Sequence, residues 1–96
     1  MSAQFPADVS WKGLFENWPE GLSRRGIVVS TLNESMPFKG FMTRPDMVVL
    51  ERQNPDSLGA RFILLRYDGI ASIKLTDPLK AADFEPLGFT GRFSIA

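Results

Sequence analysis

The chain has 96 residues, of which 44% are hydrophobic and 23% charged, values typical of one globular domain with a single core. Lysine plus arginine and aspartate plus glutamate both number 11, so the formal net charge is zero. This balance argues against a general binder of polyanions and offers little repulsion between copies. The sequence has no cysteine and no histidine, which excludes disulfides, thiolate or imidazole metal sites and histidine-dependent catalytic triads.

Catalytic and cofactor motifs do not occur in the sequence. Gly-rich phosphate loops and the common serine-nucleophile patterns are missing, and the acids in turns, such as Asp56 and Asp68, fit turn chemistry. We therefore expect no enzyme, no cofactor and no metal. No apolar run approaches the roughly 18 to 20 residues of a membrane span, and the first residues do not resemble a secretion signal. A cytoplasmic location without membrane contact is the expectation.

The first predicted element is a short helix over about residues 9–18. Trp11, Leu14, Phe15 and Trp18 recur at the spacing of one helical face, and Pro19 ends the pattern. Because the helix contains a glycine, it needs a surface to pack on. Covering the core of the domain is the favoured role for its aromatic face, and binding a partner is the alternative.

The chain over about residues 25–76 predicts five short strands with tight connections. Gly40 inside the second strand indicates a sharp bend, and Asp68 with Gly69 indicates a tight reversal before the fifth strand. A helix followed by five bent strands is the order of a small β-barrel of the SH3 type. The predicted strands are "GIVVSTL", "MPFKGFMTR", "PDMVVLERQ", "ARFILLRY" and "IASIKLT".

The fourth strand contains four consecutive apolar residues, Phe62 to Leu65, where a strand with one wet face would alternate. We expect this strand to be covered on both faces, one of them by another copy of the chain. Residues 77–96 form a tail with one helical turn and then an extended arm that docks on this subunit or a neighbour. The candidate residues of an oligomer interface are Phe62, Leu64, Ile70, Phe89 and Phe93.

A nucleic-acid contact is the other candidate site. Binding a single strand needs cations and stacking rings in one place. Arg66, Tyr67 and Lys74 bracket the corner between the fourth and fifth strands, and Lys39 and Arg44 add charge from the second strand. The alternative is structural, with Arg66 in an ion pair to Asp46 or Asp68 and Tyr67 half-buried.

The same segment resembles the Sm-like domains. "LRYDGIASI" places Leu65, Arg66, Ile70 and Ile73 in the register of that family's second motif, with Tyr67 where glycine is usual. "KGFM" resembles the bend of the family's second strand. The resemblance implies a helix-capped, five-stranded bent barrel that forms rings by pairing strand four with strand five of the next subunit. The resemblance gives weaker support to RNA binding. In the family, a loop between strands two and three that contains Asp and Asn contacts the RNA, and here "TRPD" stands in its place.

Two functional hypotheses follow for the single domain of residues 1–96. The first is a non-enzymatic, self-associating small β-barrel that acts as a scaffold or protein-interaction module, with homo-oligomers or a protein as partners. The second is an Sm-like protein that binds single-stranded RNA through Arg66 and its neighbours.

Overall fold

The computed structural model of the protein describes residues 7–94, and side chains from residue 11 onward. It confirms a mainly β architecture that follows a short N-terminal helix. The helices and strands are α1 (Ala7–Glu16), β1 (Gly26–Ser30), β2 (Ser35–Arg44), β3 (Met47–Arg52), β4 (Phe62–Arg66), β5 (Ile70–Lys74) and α2 (Ala81–Phe84). Short 3₁₀ turns cover Tyr67–Gly69 and Glu85–Leu87.

The aromatic face of α1 covers the core, as the sequence predicts. Phe15 is buried, and its ring contacts Phe41 edge-on with 4.8 Å between centroids. Trp18 lies two residues past the end of α1 and stacks on Phe15 with 5.6 Å between centroids. Its indole N–H donates to the Leu22 carbonyl at 3.0 Å, so the buried ring keeps a hydrogen-bond partner. The helix is thereby fixed to the sheet by aromatic contacts.

All five strands form one antiparallel sheet with the order β4-β3-β2-β1-β5. The long strand β2 pairs with β1 through its first half and with β3 through its second half. The register with β3 shifts between Phe38 and Gly40, at the glycine that predicted a bend. Such irregularities increase the local twist and let one strand serve two parts of a curved sheet.

The sheet is open between its two outer strands. Within residues 7–94, β4 pairs with β3 alone and β5 pairs with β1 alone. The tight reversal expected at Asp68 and Gly69 is a 3₁₀ turn that begins at Tyr67. The Thr31 amide donates to the Gly69 carbonyl at 2.9 Å and so attaches this turn to the end of β1. The curved sheet is therefore present, and the closed barrel is not.

The core lies between α1 and the concave side of the sheet. Tyr67 is 2% exposed, and its hydroxyl donates to the Arg44 carbonyl at 3.1 Å. Ile70 is also buried, which removes it from the predicted oligomer interface because its side chain belongs to the core of its own subunit. The other buried hydrophobic residues are Phe15, Trp18, Leu22, Val28, Met36, Phe38, Phe41, Val48 and Leu50.

The C-terminal segment differs from the extended arm that was expected. After α2 and the second 3₁₀ turn, Gly88 adopts a left-handed conformation (φ 93°) that reverses the chain. The rings of Phe89 and Phe93 then pack edge-on against Phe84, with centroids 6.2 and 5.8 Å away. Leu79 contacts the core and connects this small cluster to the domain. Residues 95–96 of the predicted tail lie outside the described part.

Candidate interaction surfaces

Strand β4 has one covered face and one bare face. Ile63 and Leu65 are partly buried and pack against the core. Phe62 and Leu64 point the other way and are 60% and 70% exposed. The prediction of cover on both faces therefore holds only for the inner face within the subunit. Apolar and polar residues do not alternate along β4 because both faces of the strand carry apolar side chains.

The bare face continues across the two neighbouring strands. Met42 on β2 is paired with Val49 on β3, which is paired with Leu64 on β4. Met42 is exposed and Val49 is half-buried. Together with Phe62 and Met47 on the same side, these residues form what we call the β4 patch. Single exposed apolar residues are common on proteins, whereas neighbouring ones are less so, and Glu51, which pairs with Phe62, borders this group on the same face.

The β4 patch ends at an outer edge of the sheet. An outer strand presents backbone N–H and C=O groups that can pair with another chain, and proteins protect such edges with lysine, proline or bulges. Strand β4 contains no lysine and no proline, and its pairing with β3 shows no bulge. Its one charged residue is Arg66, at its end. The edge and the patch thus coincide on the same strand.

The predicted nucleic-acid residues do not converge on one site. Arg44 and Arg66 lie on the same face of the sheet because each is the direct cross-strand partner of Met47, Arg44 on β2 and Arg66 on β4. Each has an acidic partner: Arg44 contacts Asp46 at 2.7 Å and Arg66 contacts Asp68 at 3.0 Å. The Arg66–Asp68 pair matches the structural alternative for Arg66, and the two pairs together leave the local charge nearly balanced.

The other three predicted contacts are placed less favourably for RNA. The buried ring of Tyr67 presents no face for stacking, which corrects its assignment as a contact residue. Burial, with smaller effects of Glu16 and Asp46, raises the pKa of its hydroxyl. Lys74 lies on β5, at the opposite edge of the sheet order from Arg66, and Lys39 is exposed on β2.

A clamp that was not predicted joins two linkers across the domain. The Ser23 hydroxyl donates to one carboxylate oxygen of Asp77, and Arg25 Nε lies 3.3 Å from the other. The hydrogen bond from Ser23, followed by that from Arg25, holds the pKa of Asp77 below its ordinary value. The clamp ties the segment before β1 to the segment after β5.

Two of the turn acids have the structural roles expected of them. The Asp56 carboxylate accepts from the amides of Ala60 at 2.9 Å and Leu58 at 2.8 Å. These bonds, that of Ala60 first, lower the pKa of Asp56. Asp68 binds Arg66 as described. Both carboxylates are therefore engaged in local contacts.

Within residues 7–94, no helix is long and apolar enough to span a membrane. In the same part of the chain, no group of three or more acidic residues is arranged to hold a metal ion. No protein-family model matches the chain, and neither does a curated protein or a solved structure.

Proposed function

We propose that the protein is a non-enzymatic, self-associating small barrel that acts as a scaffold or protein-interaction module. The observation that carries this proposal is β4, which combines an unpaired edge with a bare apolar face. A second copy that pairs with this edge would extend the sheet, and packing of that copy against the bare face would bury Phe62 and Leu64. The formal net charge of zero permits such contact between copies of the chain.

The open edges of the sheet suggest how the copies associate. β4 and β5 are both antiparallel outer strands of five residues each. Pairing β4 of one copy with β5 of the next would satisfy both edges and repeat with the same geometry, which gives a ring if the rotation closes. This is the arrangement implied by the Sm-like resemblance. The strand order supports this pairing, because it places β4 and β5 at the two outer edges of the sheet.

The apolar contribution to such an interface can be estimated from the exposed side chains. Met42, Phe62 and Leu64 are each about two-thirds exposed. If a second copy packs over the whole face, burying the exposed part of each contributes about 1–2 kcal/mol, or about 3–6 kcal/mol for the three. Pairing at the β4 edge alone leaves Met42, which lies two strands away, uncovered. Association costs roughly 4–15 kcal/mol in lost translational and rotational freedom. The apolar patch therefore does not suffice alone, and the backbone hydrogen bonds of the paired edges are required.

Light scattering on the purified protein across a concentration series tests the proposal. The proposal predicts a mass above the 10.7 kDa of one chain at micromolar concentration. Leu64→Glu should weaken association at least roughly 5- to 30-fold, the equivalent of about 1–2 kcal/mol of lost apolar burial. The matched control is Leu32→Glu, because Leu32 is 81% exposed in the β1–β2 turn. A monomer at every concentration would overturn the proposal.

Single-stranded RNA binding is the second candidate function. The observation that favours it is the placement of Arg44 and Arg66 on one face of the sheet, separated by Met47. Their pairing with Asp46 and Asp68 weakens the case, because phosphate would have to compete with carboxylates. Fluorescence anisotropy with labelled single-stranded RNA tests it: binding should fall with salt and with Arg66→Ala. Absence of binding at low salt would exclude it.

A further inference from the structure

A groove separates helix α1 from the C-terminal segment, away from the β4 patch. Its volume is about 570 Å³, within the roughly 300–1,000 Å³ range of pockets that hold small molecules. One wall is α1, another is the end of β5, and the third is the segment that follows α2. The lining residues are Trp11, Gly13, Leu14, Asn17, Ile73, Leu75, Phe84, Pro86, Leu87 and Phe89.

The chemistry of the lining selects for a neutral ligand. Among the described residues that line the groove, none carries a formal charge. The polar side-chain groups are the indole N–H of Trp11 and the carboxamide of Asn17. The Asn17 amide donates to the Gly13 carbonyl at 3.0 Å, which fixes the carboxamide at the groove. The carboxamide oxygen takes no part in this bond and can accept from a donor on the ligand. A charged ligand would lose hydration here without gaining a counterion.

The fold gives no structural reason for a glycine at the position of Gly13. It lies inside α1, where glycine weakens a helix relative to alanine. A Cβ built at this position meets no atom within 4 Å, and its backbone φ is not in the left-handed region. Neither close packing nor backbone conformation requires a glycine. A side chain at this position would extend into the groove, so the glycine keeps the groove open.

We propose that this groove binds a neutral, mainly apolar small molecule that carries a hydrogen-bond donor, such as an aliphatic or aromatic alcohol. The apolar body lies against Leu14, Ile73 and Leu75, and the donor binds the carboxamide oxygen of Asn17. The walls are half-buried apolar side chains, and the ligand removes their remaining exposed surface from water. The groove shares no residue with the β4 patch, but Ile73 lies on β5, the strand that pairs with β4 of the next copy in the proposed assembly.

Fluorescence titration with N-phenyl-1-naphthylamine, a neutral apolar probe, tests the site in the full-length protein. We expect saturable binding with energy transfer from tryptophan, because Trp11 lies in the wall. Gly13→Leu should fill the groove and weaken binding at least tenfold, while its melting temperature stays equal to or above that of the wild type. The matched control is Gly21→Leu, because a Cβ at Gly21 also meets nothing within 4 Å and lies outside the groove.

Two further measurements separate the groove from other apolar surfaces. Leu64→Glu should bind the probe as tightly as the wild type, and loss of binding would mean that the probe reports the β4 patch. Decanol should displace the probe at least tenfold more effectively than decanoate at neutral pH. Equal displacement by the carboxylate, or unchanged binding in Gly13→Leu, would overturn the proposal.

Discussion

Two glycine-to-alanine substitutions should change stability in opposite directions because the space around the two positions differs. A Cβ at Gly13 meets nothing within 4 Å, whereas a Cβ at Gly26 would lie 2.6 Å from the Lys74 carbonyl oxygen. That oxygen belongs to the backbone of β5, which pairs with β1 through Ile27 and Lys74. Relief of the contact therefore requires the two strands to separate.

The expected magnitudes follow from these contacts. Gly13→Ala should stabilise the protein by about 0.5–1 kcal/mol, through better helix propensity. Gly26→Ala gains a similar propensity term but incurs about 1–3 kcal/mol of overpacking, so a net loss of about 1–2 kcal/mol is expected. Each 1 kcal/mol corresponds to a shift of roughly 4–8 °C in the melting temperature for a domain of about this size.

Urea denaturation followed by tryptophan fluorescence measures both variants. All proteins are compared at one low concentration, because association with a second copy would raise the apparent stability. The wild type provides the reference midpoint, and equal m-values would show that the compared states are the same. Stabilisation by Gly26→Ala, or destabilisation by Gly13→Ala, would refute the geometry at that position.

The remaining predictions concern the buried hydroxyl and the clamp. Tyr67→Phe removes the hydrogen bond to the Arg44 carbonyl and should lower the free energy of unfolding by about 0.5–1.5 kcal/mol. Thermal or urea unfolding measures this difference. An unchanged stability would mean that water replaces the hydroxyl as the partner of that carbonyl. Asp77 has a lowered pKa when folded, so its stabilising effect is present above the ordinary value of 3.8 and is lost as the pH falls through the folded value. Ser23→Ala should raise the pKa of Asp77 in an NMR carboxyl titration and reduce the acid dependence of stability. An unchanged Asp77 titration would contradict the clamp.

The sequence predicts the elements well because their signals are local. The stripe of Trp11, Leu14, Phe15 and Trp18 predicts α1 and the face that it buries, and Gly40 marks the irregularity in β2. The helix ends at Glu16 rather than near residue 18. The apolar run of β4 also indicates a strand, but within the subunit only its inner face has the predicted cover.

The parts that the sequence does not predict depend on contacts between distant residues. Tyr67 is a residue type that can stack on a base, so the sequence suggests a contact residue. Its burial depends instead on the 3₁₀ turn, which places its ring near that of Phe15, with centroids 6.3 Å apart. The Ser23–Asp77 clamp joins residues that are 54 positions apart. The groove at Gly13 requires the C-terminal segment to turn back beside α1. No local periodicity encodes these arrangements.

Hydrogen–deuterium exchange of the peptide that contains β4 tests the central claim most directly, because it reports whether a second copy covers this edge. The account predicts that exchange of residues 62–66 slows as the protein concentration rises, and that Leu64→Glu abolishes this dependence. Exchange of the β4 amides at one rate across all concentrations would contradict the account.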